Sequence, residues 1–264
     1  MRFLYMIQGK SSNVVKYLHL NAGASQLQGL TYDRPQAGFD FLPKSSFAQG
    51  RNHLYRLALQ KLAEFDYFVF LDDDVEFCRG SFEQMERNLS KFRPSVGIPL
   101  TEKTRRSAIG IEWRKRIHPV LRSQRFHVND EQYIAFRRDV IEEGKVLPYL
   151  ETWDSQSWFV TCLIQEALIQ IHYHKDARQF NDCEIVNNQH SGDYPHNLDF
   201  ARTAYLNYMA EHYAEQSVRP ADFRPLLTIE SSPAKMVSNL FGAASALVRR
   251  TSLYRSVRNG LRKR

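Results

Sequence analysis

Three aspartates stand together at positions 72, 73 and 74, directly after the apolar run of residues 67–71 (YFVFL). Hard carboxylate oxygens in a pair suit Mg²⁺ or Mn²⁺, which proteins hold with one or two carboxylates plus the phosphates of a substrate. In an extended chain residues i and i+2 point the same way, so Asp72 and Asp74 are expected to face one site while Asp73 points elsewhere. Two readings fit these residues taken alone: a metal–diphosphate site, and a solvated acidic turn after a core strand.

The elements around the aspartates narrow the choice. An apolar, aromatic and β-branched run of this length reads as a buried strand. Burying an unpaired carboxylate is costly, so the aspartates belong where the strand leaves the sheet. That carboxyl edge is where open α/β sheets take their ligands. Upstream, Leu54, Leu57, Ala58, Leu62 and Phe65 recur at helical spacing and predict a helix from about residue 50 to 64. Arg51 and Asn52 fall in its first turn by that reading. A cation there opposes the helix dipole, which hints at another task, such as a phosphate or a base.

A Gly50-Arg51-Asn52 helix start, an amphipathic helix, and an apolar strand ending in Asp72-Asp73-Asp74 together resemble the core pattern of the GT-A glycosyltransferases, the nucleotide-sugar-dependent superfamily. The resemblance implies a GT-A-like, Rossmann-type mixed α/β sheet flanked by helices. It implies a nucleotide-diphosphate-sugar donor and a bound Mn²⁺ or Mg²⁺. By the same resemblance Arg51, Asn52, Asp72 and Asp73 lie against the donor nucleotide, Asp73 in a secondary role, and Asp72 and Asp74 ligate the metal. His190, in the polar loop of residues 187–196, matches the family's C-terminal third ligand by order and context, with His196 behind it.

A second cluster, Glu151 and Asp154, has Trp153 and Trp158 as sequence neighbours before a predicted helix. Many GT-A enzymes carry a carboxylate at this place, and in inverting members it is the general base for the acceptor hydroxyl. Asp154 is the first candidate and Glu151 the second. Aromatic neighbours raise a carboxylate's pKa by desolvation and offer a sugar ring a flat face. Asp154 or Ser155 would also make a good N-cap, a purely structural use.

Other polar residues carry less. Asp33, after a strand near residues 28–32, reads as a nucleoside contact or a plain loop aspartate. The basic stretch 101–117 reads as a charged face or a loop near a diphosphate. Residues 169–174 (IQIHYH) read as a strand, with His172 and His174 on one face and no third ligand close in sequence. The loop after the first strand, Gln8-Gly9-Lys10-Ser11-Ser12, has one glycine, which weakens a nucleotidyltransferase reading. A membrane- or nucleic-acid-binding adaptor is the non-enzymatic alternative.

The 264 residues and 43% hydrophobic content suffice for one large domain with an ordinary core. No apolar run reaches the roughly 18–20 residues that span a bilayer. Residues 1–10 read as a first strand rather than a secretory signal. Cys78, Cys162 and Cys183 are odd in number and widely spaced, which argues against a disulfide framework and for a reducing, cytoplasmic location. Residues 231–264 carry eight basic side chains and no acidic one; removing that +8 from the net +7 leaves −1 for the body. No nucleic-acid partner is expected for so nearly neutral a body. The division is therefore a catalytic domain over 1–215 and a proline-containing linker with a basic tail over 216–264. Within the tail, apolar residues recur every three or four positions opposite basic ones over 235–264. This predicts an amphipathic basic helix lying on an anionic membrane surface, the inner face for a cytoplasmic enzyme. The acceptor would then be a glycan or lipid-linked glycan at that surface.

Overall fold

The structure, a computed structural model, describes residues 1–101, 123–125, 131–187 and 194–214. Most of the basic stretch 101–117, His190 and the whole predicted tail helix lie outside the described residues. Among the described residues no helix is long and apolar enough to cross a membrane.

The elements run β1 (Phe3–Gly9), α1 (Ser11–Val14) with a 3-10 turn (Val15–Leu20), β2 (Ser25–Thr31), β3 (Asp40–Phe41), α2 (Phe47–Gln60), β4 (Tyr67–Asp72), β5 (Val75–Arg79), α3 (Phe82–Phe92), β6 (Val96–Leu100), β7 (Ser123–Arg125), β8 (Tyr133–Arg137), α4 (Arg138–Glu143), α5 (Phe159–Tyr173), β9 (Ala177–Asn187) and α6 (Leu198–His212). They form one mixed sheet in the order β3-β2-β1-β4-β8-β6-β9-β5, with β7 also paired to β9. Strands β3, β2, β1 and β4 are parallel, and β8 is antiparallel to both β4 and β6. The chain builds outward from β1 through β2 to β3, then returns through α2 to place β4 on the other side of β1. The strand order therefore reverses at β1, and the carboxyl ends of β1 and β4 flank the switch point where open sheets bind ligands.

Both faces of the sheet are covered, which is why β1 and β4 read as unbroken apolar runs. Period-two alternation divides each strand between two cores. Leu4, Met6, Phe68, Phe70, Ile134 and Phe136 enter the core shared with α2, α4, α5 and α6. Phe3, Tyr5, Ile7, Tyr67, Val69, Leu71, Tyr133 and Ala135 enter the opposite core, shared with α3. Burial of a large apolar side chain is worth roughly 1.5–3 kcal/mol, so these two central strands anchor the fold. Continuing the same alternation, Gln8 and Asp72 fall on the α2 side, and they are register partners across β1 and β4.

Helix α2 starts earlier than its apolar spacing alone suggests. Ser46 is the N-cap: its hydroxyl accepts from Gln49 N at 3.3 Å, and the Gln49 side chain accepts from Ser46 N at 3.1 Å. This capping box holds two otherwise orphaned amides. It moves Arg51 past the first turn, so the dipole argument for Arg51 does not apply. In α3 only half of such a box forms. Ser81 Oγ accepts from Gln84 N, but the Gln84 side chain turns to Asn88 and Asp182.

Residues 169–174 are helical, not a strand: α5 runs through them to Tyr173. Their isoleucines favour a strand locally, but they extend a helix that is buried on nearly every side from Val160 to Ile169. His172 and His174 thus sit at a helix end. Helix α5 opens on Trp158 without a side-chain cap. Asp154 and Ser155 lie upstream, and neither caps it.

Candidate functional site

Asp72 ends β4 beside Arg51 of α2, and the two are paired. The guanidinium also donates to Leu71 O and Glu131 O, both at 3.2 Å, and lies over the rings of Phe47 and Phe70 at 5.3 and 5.9 Å. Arg51 has 0% of its surface exposed. Burial works against its charge, but Asp72, Tyr149 and Glu131 outweigh that and raise its pKa above the usual value. Arg51 therefore stands behind Asp72 and positions it; the guanidinium has no face open to a nucleotide. Asn52 is likewise turned inward. It donates to Tyr149 O at 2.9 Å and Glu151 Oε1 at 2.7 Å, and accepts from Tyr149 N at 2.7 Å. Both residues thus differ from the nucleotide contacts that the resemblance implies. Inward-facing positions of a core helix spend their polar groups on buried backbone that needs partners.

Asp73 and Asp74 form a turn, not a continuation of β4. The strand alternation ends at Asp72, so it cannot decide which way the next two carboxylates point. Asp73 reaches back to β1, where its Oδ2 accepts from Lys10 N at 2.7 Å. The approach requires Gly9, since a Cβ there would lie 2.1 Å from the Asp73 Cβ. Burial raises the Asp73 pKa against the hydrogen bond from Lys10. Burial, then the charge of Asp73, pushes Asp74 up to about 6, while a hydrogen bond from Asn187 at the end of β9 opposes the shift.

All three aspartates line one cavity of about 130 Å³ at the carboxyl ends of β1 and β4, with Gln8, Glu131 and Asn187. Gln8 is 5% exposed and donates from Nε2 to Ser46 O at 3.1 Å and Tyr194 Oη at 3.0 Å. Its Oε1 is buried without a hydrogen-bond partner among the described residues. Glu131 accepts from Tyr149 Oη at 2.7 Å. Gln8, Glu131 and Tyr194 had no motif to mark them: each joins the site through contacts to residues distant in sequence. Gln8 alone had a signal, as the polar residue ending the apolar first strand.

Asp154 and Glu151 line a second, larger cavity of about 470 Å³, together with Lys44, Ser46 and Gln49. Tyr32 and Tyr194 belong to the walls of both cavities, their rings 6.0 Å apart and edge-on. Asp154 caps α2 from across the fold. Its Oδ2 accepts from Ser46 Oγ and, at 2.9 Å, from Ala48 N. A carboxylate is favourable at a helix N-terminus. Burial still raises the Asp154 pKa above the usual carboxylate range, against the hydrogen bonds from Ser46 and Ala48. Asp33 is engaged locally, accepting from Ser11 N at 2.8 Å and Ser11 Oγ at 3.1 Å.

A divalent ion fits part of this arrangement. Asp73 and Asp74 are partly buried like charges, and the charge of Asp73 adds to burial in disfavouring ionisation of Asp74, which a cation would relieve. Among the described residues, however, no group of three or more His, Cys, Asp or Glu side chains could hold a metal. His190, the expected third ligand, lies outside them, between Asn187 and Tyr194, which both line the aspartate cavity.

No protein-family model matches the chain, and no curated protein matches it in sequence. Solved structures match its fold. S. aureus TarS superposes with a TM-score of 0.50 at 9% identity, over 84% of this chain and 41% of that one. GalNAc-T7 with UDP, GalNAc and Mn²⁺ superposes with a TM-score of 0.52 at 10% identity, over 79% of this chain and 47% of that one. This chain thus spans less than half of each. The mixed sheet flanked by helices is a GT-A-like fold.

Proposed function

We propose that the protein is a metal-dependent glycosyltransferase, moving a sugar from a nucleotide-diphosphate sugar to a hydroxyl of a glycan acceptor. One observation carries the reading: Asp72, Asp73, Asp74 and Glu131 line a single cavity at the switch point of a GT-A-like sheet. The fold match to GalNAc-T7, whose structure holds UDP, GalNAc and Mn²⁺, supports it.

In this reading Asp72 and Asp74 would hold Mn²⁺ or Mg²⁺, with His190 as third ligand; paired carboxylates with the donor's phosphates are how such hard cations are commonly bound. The ion supplies electrostatic stabilisation of the departing nucleotide diphosphate. Arg51 fixes the carboxylate of Asp72, and Lys10 N fixes Asp73. Buried Gln8 Oε1 is an acceptor for a donor hydroxyl. The acceptor enters through the larger cavity, where Asp154, with Glu151 beside it, takes the proton if the reaction inverts. Residues 235–264 hold the enzyme reversibly at an anionic membrane surface on the cytoplasmic side, close to a lipid-linked acceptor.

The test is a panel of nucleotide-sugars assayed for slow donor hydrolysis with and without Mn²⁺. Hydrolysis of one donor that depends on the metal is expected. No metal-dependent response to any donor contradicts the reading.

A further inference from the structure

On the far side of the 151–155 loop from Glu151 and Asp154 lies a separate groove of about 450 Å³, walled by Trp153 and by one face of α6. Residues Thr203, Asn207, Tyr208, Glu211 and His212 line it at the spacing of a helix face. Three aromatic rings pack in series along it. Trp153 meets Tyr208 edge-on at 5.8 Å, and Tyr208 stacks on His212 at 4.3 Å with 19° between their planes. His212 Nδ1 donates to Tyr208 O at 3.0 Å, which fixes the ring on the helix. Glu211 and His212 keep 78% and 46% of their side chains in water, so their polar atoms are open to a ligand.

We propose that this groove binds a neutral oligosaccharide, the part of the acceptor beyond its reacting sugar. The proposal rests on the glycosyl-transfer reading above. A pyranose ring has an apolar C–H face and a rim of hydroxyls. The face gains by covering an aromatic ring, and each hydroxyl removed from water needs a partner. The groove supplies both: an aromatic wall, and Thr203, Asn207 and Glu211 alternating with it. Among the described residues no lysine or arginine lines it and Glu211 is the acidic member of its lining, a composition that favours a neutral ligand over a polyanion. The 151–155 loop connects the two sites. Its Trp153 side forms the groove while its Glu151, Asp154 and Ser155 side forms the larger cavity. The groove therefore lies beside the loop that carries the candidate base.

The full-length protein is tested on an array of immobilised neutral, sialylated and sulfated glycans. The best neutral glycan is then titrated into wild type, Tyr208→Ala and Asn207→Ala, with metal-dependent donor hydrolysis measured in parallel. Binding is expected to fall about tenfold in Tyr208→Ala and several-fold in Asn207→Ala, with donor hydrolysis unchanged. Asn207 is exposed, so its variant decides the matter if Tyr208→Ala fails to fold. The proposal is overturned if wild type hydrolyses donor but retains no neutral glycan, if only polyanionic glycans bind, or if Asn207→Ala and a folded Tyr208→Ala bind like wild type. Glycan binding that follows these variants, without hydrolysis of any donor, upholds the groove and defeats the glycosyl-transfer reading instead.

Discussion

Arg51 and Asp72 meet at the seam between helix α2 and the end of strand β4, the guanidinium wholly buried and the carboxylate 28% exposed toward the cavity. The pairing follows from strand parity: Asp72 continues the Phe68, Phe70 face that packs on α2. Replacing Arg51 by Met removes the guanidinium from the Asp72 carboxylate and from the carbonyls of Leu71 and Glu131. The expected cost is about 2–4 kcal/mol in denaturant unfolding, because a half-buried charge loses its partner. A loss under about 1 kcal/mol would show that the pair does not hold the site together.

One residue earlier on α2, Gly50 faces Gln8. A Cβ at Gly50 would lie 2.2 Å from the Gln8 amide carbon. Gly50→Ala is expected to cost about 1–3 kcal/mol by overpacking, since Gln8 must give up its bonds to Ser46 and Tyr194 to move. Adding Gln8→Ala should recover part of that loss. A double-mutant cycle with strictly additive effects would contradict the contact.

This seam also shows how far the sequence could be read. The buried strand, its acidic end and the preceding helix were legible because they rest on local patterns, above all apolar periodicity. The direction of Asp73 and Asp74 was not legible, because alternation holds only inside the strand and both residues lie in a turn. Nor was the cap on α2. Asp154 stands 108 residues from Ser46, and no local pattern encodes that contact. Glu131 is joined to the site in the same way, through Tyr149 and Arg51. The strand expected over 169–174 failed for the opposite reason: local β-branched content was overruled by the continuation of α5.

Asp74 gives stability a pH dependence. Its carboxyl titrates near 6 when folded against an ordinary value of 3.8, so between those values the folded state binds more protons than the unfolded one. Stability from this group is therefore fully present at low pH and falls as pH rises from about 4 to about 6. In metal-free buffer Asp74→Asn should flatten the fall of Tm across that window and exceed wild type at pH 7. Added Mn²⁺ should reverse the order at pH 7 by stabilising wild type alone. An unaltered slope in the variant would contradict the assignment.

Asp154 has two uses, and they separate experimentally. As the cap of α2 it supports folding, and as the base it supports turnover. Asp154→Asn is expected to lower kcat at least a hundredfold with donor KM little changed. Its stability should fall by about 0.5–2 kcal/mol, the cost of weakening a cap. A loss of stability with normal kcat would leave Asp154 the cap alone.

The central claim is that the aspartate cavity takes a nucleotide-diphosphate sugar through a divalent ion. Calorimetric titration of the hydrolysed donor into wild type and Asp74→Asn, each with Mn²⁺ and with chelator, tests it most directly. The account predicts binding by wild type only with Mn²⁺, and at least a tenfold loss in Asp74→Asn at unchanged circular dichroism. Equal binding by both proteins, or binding indifferent to chelator, would contradict it.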